Sequence, residues 1–96
     1  MDETEYHNIC DELFMRIESV LDDAGVDYES NGGMIEVLLD DDGKVVINRQ
    51  PALQEVWVAA RSGGHHFVWR DGGWHDTRSG GTLSNLLLEV VGVGIQ

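Results

Sequence analysis

Glu55-Val56-Trp57-Val58-Ala59-Ala60-Arg61-Ser62-Gly63-Gly64-His65-His66-Phe67-Val68-Trp69, residues 55–69, is the stretch whose reading decides the fold. Glu55 to Ala59 and His65 to Trp69 are rich in β-branched and aromatic residues, and Ser62-Gly63-Gly64 between them reads as a turn. A connection this short leaves no room for a crossover helix, so the two strands must pair antiparallel.

The same logic extends in both directions. Downstream, Asp71-Gly72-Gly73 turns into a short strand at Trp74. After Ser79-Gly80-Gly81, Thr82 is placed to cap a helix whose apolar residues Leu83, Leu86, Leu87, Val90 and Val91 form one stripe. Upstream, Val45-Val46-Ile47 makes a third strand, and Asp40-Asp41-Asp42-Gly43 is the turn before it. Met34 to Leu39 alternates Ile35, Val37 and Leu39 with Met34, Glu36 and Leu38. Asn31-Gly32-Gly33 turns this strand back on a partner at residues 26–30. Before that, Tyr6, Ile9, Cys10, Leu13, Phe14, Ile17, Val20, Leu21 and Ala24 recur at three and four, a helix with one buried stripe that Gly25 ends.

The order is therefore helix, five or six strands, helix. Short turns make the strands an antiparallel meander, and two helices with one greasy stripe each must cover the same face. The predicted class is α+β: a two-layer α-β sandwich, N- and C-terminal helices packed on one side and the other side open to solvent. The 96 residues suit one domain, and the tail from Gly92 to Gln96 reads as loose.

Charge is unevenly placed. Residues 1–42 carry fourteen acids and one base, Arg16, for a net −13, while the remainder has four acids against five bases, a net +1. Such a field repels nucleic acid and anionic membrane and attracts cations or a basic protein surface. No run approaches the roughly 18 apolar residues of a membrane span, and Met1-Asp2-Glu3-Thr4-Glu5 is the opposite of a basic targeting segment. A single cysteine, Cys10, excludes a disulfide framework and a thiolate cage. A cytoplasmic setting is expected.

At about 100° per residue, His7, Asp11, Glu18 and Asp22 fall within one narrow stripe bordering the apolar face of the first helix, with Glu3 one turn earlier near its edge. Asp2, Glu3 and Glu5 are explained by the positive dipole end, which acids favour. Asp22 and Asp23 stand at the negative end, where the dipole opposes them, and Arg16 faces away towards Glu12. A local rule broken without a compensating partner marks a place chosen for function. Carboxylates with one imidazole suit hard or borderline cations such as iron, manganese or calcium. Lining an exposed edge, they would hold ions weakly and with little selectivity.

Other motifs are plainer. The Asp40-Asp41-Asp42-Gly43 turn lacks the spaced acids and closing Glu of a calcium loop. His65, His66 and His75 have no partner ligand at fixed spacing, and no nucleophile elbow, phosphate loop or zinc pair occurs. Trp57 stands either in the core or on the open face, and its spacing does not decide between them.

Ile47-Asn48-Arg49-Gln50, Val56-Trp57-Val58-Ala59 and Gly63-Gly64-His65-His66-Phe67 are similar to the signature strands of the frataxin family. Tyr6-His7, Leu21-Asp22-Asp23, Asn31-Gly32-Gly33, Trp74 and Arg78-Ser79-Gly80 with Thr82-Leu83 fall in the order and spacing of its bacterial branch. The resemblance implies the same sandwich, and it implies a role in iron–sulfur cluster assembly rather than an enzyme activity. Ferrous and ferric iron would bind weakly along a ridge of Glu3, His7, Asp11, Glu18, Asp22 and Asp23, with Asp27 and Glu29 on the neighbouring strand. Asn48, Gln50 and Trp57 would contact the cysteine desulfurase and the scaffold protein, and the chain would regulate the desulfurase or donate iron. A resting monomer is expected, and the residues leave open whether iron drives oligomers. Pro51 one place early, Glu55 in place of Gln, His66 in place of Arg and the Gly-rich tail after Glu89 depart from the family pattern. Two rival readings are an iron-independent acidic docking module and a ferrous-iron oxidase, for which the paired Glu-x-x-His motifs of di-iron sites are absent.

Overall fold

The computed structural model describes residues 1–95. Helix α1, Glu3–Ala24, is capped by Asp2, whose side chain accepts from the Glu5 N–H at 2.7 Å, and ends on Gly25 in the left-handed region at φ 69°. Strands β1 (Tyr28–Asn31), β2 (Met34–Leu38), β3 (Lys44–Gln50), β4 (Glu55–Ala60), β5 (Gly63–Arg70) and β6 (Gly73–Asp76) follow, and α2, Leu83–Val90, closes the order. The six strands form one open antiparallel sheet in sequence order. The predicted meander, the two terminal helices and the α+β class are all found.

Both helices lie on one face. Ile35, Val37, Val45, Ile47, Val56, Val58, Phe67 and Trp74 point to that side and are buried against Tyr6, Cys10, Leu13, Phe14, Ile17 and Leu21 of α1 and Leu83 and Leu87 of α2. Six buried α1 side chains contribute on the order of 10 kcal/mol by transfer arithmetic, far above the few tenths that each misplaced helix-end carboxylate costs. The core therefore tolerates an acidic helix edge, and the alternate residues of every strand remain on the uncovered face.

Thr82 caps α2, its hydroxyl accepting from the Asn85 N–H at 3.1 Å, as its place in the sequence predicts. Two expectations are corrected. The β4–β5 turn is Arg61-Ser62 alone, because Gly63 and Gly64 are already paired with Ala60 and Ala59, and Gly63 takes φ +125°. The tail is not loose: Val93 and Ile95 pack against the core. The Ile95 N–H donates to Ser84 Oγ at 3.0 Å, and that hydroxyl donates to the Ile95 carbonyl at 2.5 Å. A short α2 leaves apolar surface at its end, and the tail covers it. Gly94 permits the close pass, since a Cβ there would stand 3.1 Å from Ser84 Oγ. Gln96, the last residue of that tail, lies outside the described residues. Among the described residues no helix is long and apolar enough to cross a membrane.

Candidate functional site

The 3.6-residue period of α1 puts His7, Asp11, Glu18 and Asp22 along one edge, with Asp23 beside Asp22 and Glu3 in the first turn. The strip is uneven in chemistry. At its N-terminal half Arg49 reaches in from β3, its Nη2 2.5 Å from Asp11 Oδ1 and its Nη1 3.1 Å from His7 Nδ1. The guanidinium also lies 4.9 Å from the centre of the Phe14 ring. Arg16, as its i−4 spacing predicts, pairs with Glu12 at 2.9 Å.

At the C-terminal half the donor is a phenol. Tyr28 O–H donates to Asp22 Oδ1 at 2.8 Å, and that bond, with a smaller effect of desolvation, pushes the phenol up to about 12. Asp23 and Asp27 are exposed, and Glu18 is half-buried. Glu29 is separated from the others: it pairs with Glu36 across β1–β2, one residue out of phase with Tyr28, and so belongs to the open face. There Glu36 also meets Lys44 at 3.6 Å. Among the described residues no three His, Cys, Asp or Glu side chains come together to enclose an ion. Burial raises the Cys10 thiol, so it offers no thiolate to a soft metal.

The open face resolves the alternative left by Trp57. The register aligns Asn48, Trp57 and His66 across β3, β4 and β5, all on the side away from the helices. Trp57 and His66 stack with centroids 4.3 Å apart and planes 8° from parallel. The indole N–H donates to Glu55 Oε1 at 2.8 Å, and His66 Nδ1 stands 3.8 Å from the same oxygen. Gln50 sits opposite Glu55. Tyr6 ties this end to α1, its hydroxyl donating to the Glu55 carbonyl at 2.6 Å and accepting from the Gln50 N–H at 3.2 Å. Burial first, then the Cys10 side chain, raises that phenol well above the usual tyrosine range.

Two arrangements escape sequence reading. Arg49 is one; it follows Val45 and Ile47 at every second place, and a cation in an inward-facing slot of a strand is the signal that a carboxylate must reach it. His65 is the other. Its Nδ1 lies 3.4 Å from Asp76 Oδ2, while Asp76 Oδ1 accepts from the Arg78 and Ser79 N–H groups at 2.7 and 3.2 Å. Desolvation acts to raise the Asp76 carboxyl, but these three partners outweigh it and hold it below the usual range. The cluster orders the loop before α2. The Asp40–Gly43 turn is likewise structural, Asp41 accepting from the Gly43 N–H at 2.9 Å and from Arg61 at 3.0 Å.

The molecule thus has an acidic helix edge without a cage and an aromatic patch on an open sheet. The sequence profile of the frataxin-like domain matches residues 1–96. The iron–sulfur cluster assembly protein CyaY of Vibrio cholerae is 42 % identical over 89 residues, 91 % of this chain and 86 % of the relative. Among solved structures, frataxin from Psychromonas ingrahamii superposes with a TM-score of 0.85 at 31 % identity, covering 100 % of this chain and 97 % of that one. Trimeric yeast frataxin, from Saccharomyces cerevisiae and complexed with ferrous iron, superposes at 0.69 with 26 % identity, covering 93 % and 81 %. By sequence and by fold, this chain belongs to the frataxin family.

Proposed function

We propose that this chain works in iron–sulfur cluster assembly as a cytoplasmic, iron-responsive regulator of the cysteine desulfurase, and that it does no covalent chemistry of its own. The observation that carries this reading is the segregation of charge, a net −13 on residues 1–42 against +1 on the rest, on a family scaffold whose Vibrio relative is named for cluster assembly. Ferrous or ferric iron is cargo. It is held loosely along a ridge whose C-terminal end is Glu18, Asp22, Asp23 and Asp27 and whose N-terminal end is Glu3, His7 and Asp11, with Glu29 on the open face of the edge strand β1. Carboxylates that do not converge fit weak, exchangeable binding of hard cations, other divalent ions included.

The basic surface of a desulfurase docks on the same negative field, which steers encounter, and Trp57 with Asn48 and Gln50 supplies the apolar anchor and the polar rim of the contact with desulfurase and scaffold. The chain is a monomer at rest that forms oligomers with iron; the trimers of its yeast relative support a capacity of this fold to oligomerise. A second reading, acidic docking with iron incidental, is favoured by the absence of three converging ligands among the described residues.

Desulfurase turnover with scaffold and sulfur acceptor separates them. Slowing by this chain that requires ferrous iron, and that a variant with Asp22→Lys and Asp23→Lys loses, supports iron-responsive regulation. Slowing that persists under chelation supports docking alone, and no effect on turnover or cluster yield in either condition defeats both.

A further inference from the structure

Resting on the reading of the ridge as a cation-binding edge, we infer that Arg49 is its built-in counter-ion: it occupies the place between His7 and Asp11 that a metal ion would take, so the ridge loads from its Asp22 end.

His7 and Asp11 are one turn apart on the same face of α1, a spacing at which an imidazole and a carboxylate can share a cation. The cation already there is a guanidinium. Its Nη2 is 2.5 Å from Asp11 Oδ1, its Nη1 is 3.1 Å from His7 Nδ1, and its side chain is only 11 % exposed. Arginine has donors and no acceptor, so Nδ1 must present its lone pair to Nη1. In the neutral ring the proton then sits on Nε2. A ligating imidazole needs one free lone pair and a proton on its other nitrogen. The Arg49 bond uses the one lone pair and leaves the other nitrogen protonated, which closes both atoms of His7 to metal at once.

Displacement is costly as well as obstructed. Arg49 Nε is buried without a partner, and the guanidinium rests on the Phe14 ring. An ion that took Asp11 Oδ1 and His7 Nδ1 would leave this cation buried with neither of its acceptors, a costly state for a charged side chain. The guanidinium is tethered to β3, whereas a metal ion must arrive from dilute solution. The C-terminal half has no such occupant: Asp22 holds only a neutral phenol, which an ion displaces without stranding a charge.

The test is paramagnetic broadening of backbone amides by Mn2+ in the full chain, compared with Arg49→Gln, Arg61→Gln, and the ridge variants His7→Gln and Asp22→Asn with Asp23→Asn. His7 and Asp22 are roughly 22 Å apart along the helix, so the two ends are resolved. The expected result is selective broadening at residues 18–27 with His7 and Asp11 spared, a Mn2+ affinity changed less than about twofold by His7→Gln, as for a weak surface contact, and loss of the distal broadening with the double variant. Arg49→Gln should then add broadening at His7 and Asp11, which Arg61→Gln, an equal loss of charge elsewhere, should not. Equal broadening at both ends of the native chain, or weakened binding in His7→Gln, would overturn the inference and leave the ridge reading standing. No Mn2+-dependent broadening anywhere on α1 would overturn the ridge reading and this inference with it. His7→Gln keeps the question decidable if Arg49→Gln fails to fold.

Discussion

Trp57 and His66 lie face to face on the uncovered side of the sheet, 4.3 Å between ring centroids, with Glu55 accepting the indole N–H. An indole fixed flat by a stacked neighbour and a carboxylate is presented to a partner with little left to order, which is the condition for an anchor residue. Replacing it by Ala should weaken desulfurase binding by about 2 kcal/mol or more, roughly 30-fold. Folding should suffer less, because the ring is only half-buried. Biolayer interferometry beside thermal unfolding separates the two; a large loss of stability with unchanged binding would assign Trp57 to the fold instead.

Asp23 stands in the last turn of α1, where no base offsets the helix dipole. Asp23→Lys should therefore stabilise the protein by about 0.3–1 kcal/mol, a few degrees in Tm for a domain of this size. A residue whose reversal improves stability while weakening Mn2+ binding is kept for something other than folding. Calorimetry at low ionic strength reads the first effect and titration with Mn2+ the second.

The Asp76 carboxyl is held below the usual range, so its contribution is fully present above the unfolded carboxylate value near about 4 and is lost as pH falls through the lower folded value. Asp76→Asn should cost about 1–2 kcal/mol at pH 7, by weakening bonds to Arg78, Ser79 and His65. The gap between the two proteins should shrink as pH drops towards 3. Thermal unfolding followed by circular dichroism across that range measures it, and a gap independent of pH would contradict the assignment.

The donation to Asp22 pushes the Tyr28 phenol up to about 12, because ionisation would break that bond and set two negative charges together. Asp22→Asn should bring the first tyrosine to ionise back towards about 10, the ordinary phenol value. Absorbance near the tyrosinate band follows the titration. Tyr28→Phe should in turn strengthen Mn2+ binding slightly, since it frees a carboxylate lone pair.

How far the residues alone led depended on whether the relevant contact was local. The meander was legible because turn chemistry at Asn31-Gly32-Gly33, Asp40–Gly43 and Asp71-Gly72-Gly73 acts within a few residues. The helices were legible because their apolar residues recur at three and four, and the Arg16–Glu12 pair because it spans one turn. The β4–β5 turn, read from the residues as Ser62-Gly63-Gly64, is Arg61-Ser62 because both glycines serve the strand, where Gly63 adopts φ +125° while paired.

By itself the sequence determined the element order, the class of fold, the segregation of acid into residues 1–42, and the family, all consequences of local pattern and composition. Tertiary structure decided the rest. It put Trp57 rather than a core residue on the open face, because which side of a strand is inside depends on where the helices dock. It carried Glu29 away from the helix edge by one step of strand alternation, folded Val93 and Ile95 onto the core, and brought Arg49 across 38 residues to Asp11. A contact of that span is created by packing two layers together, and no local periodicity encodes it; whether a ridge carboxylate is free or already neutralised could be known only after the sheet had closed against the helix.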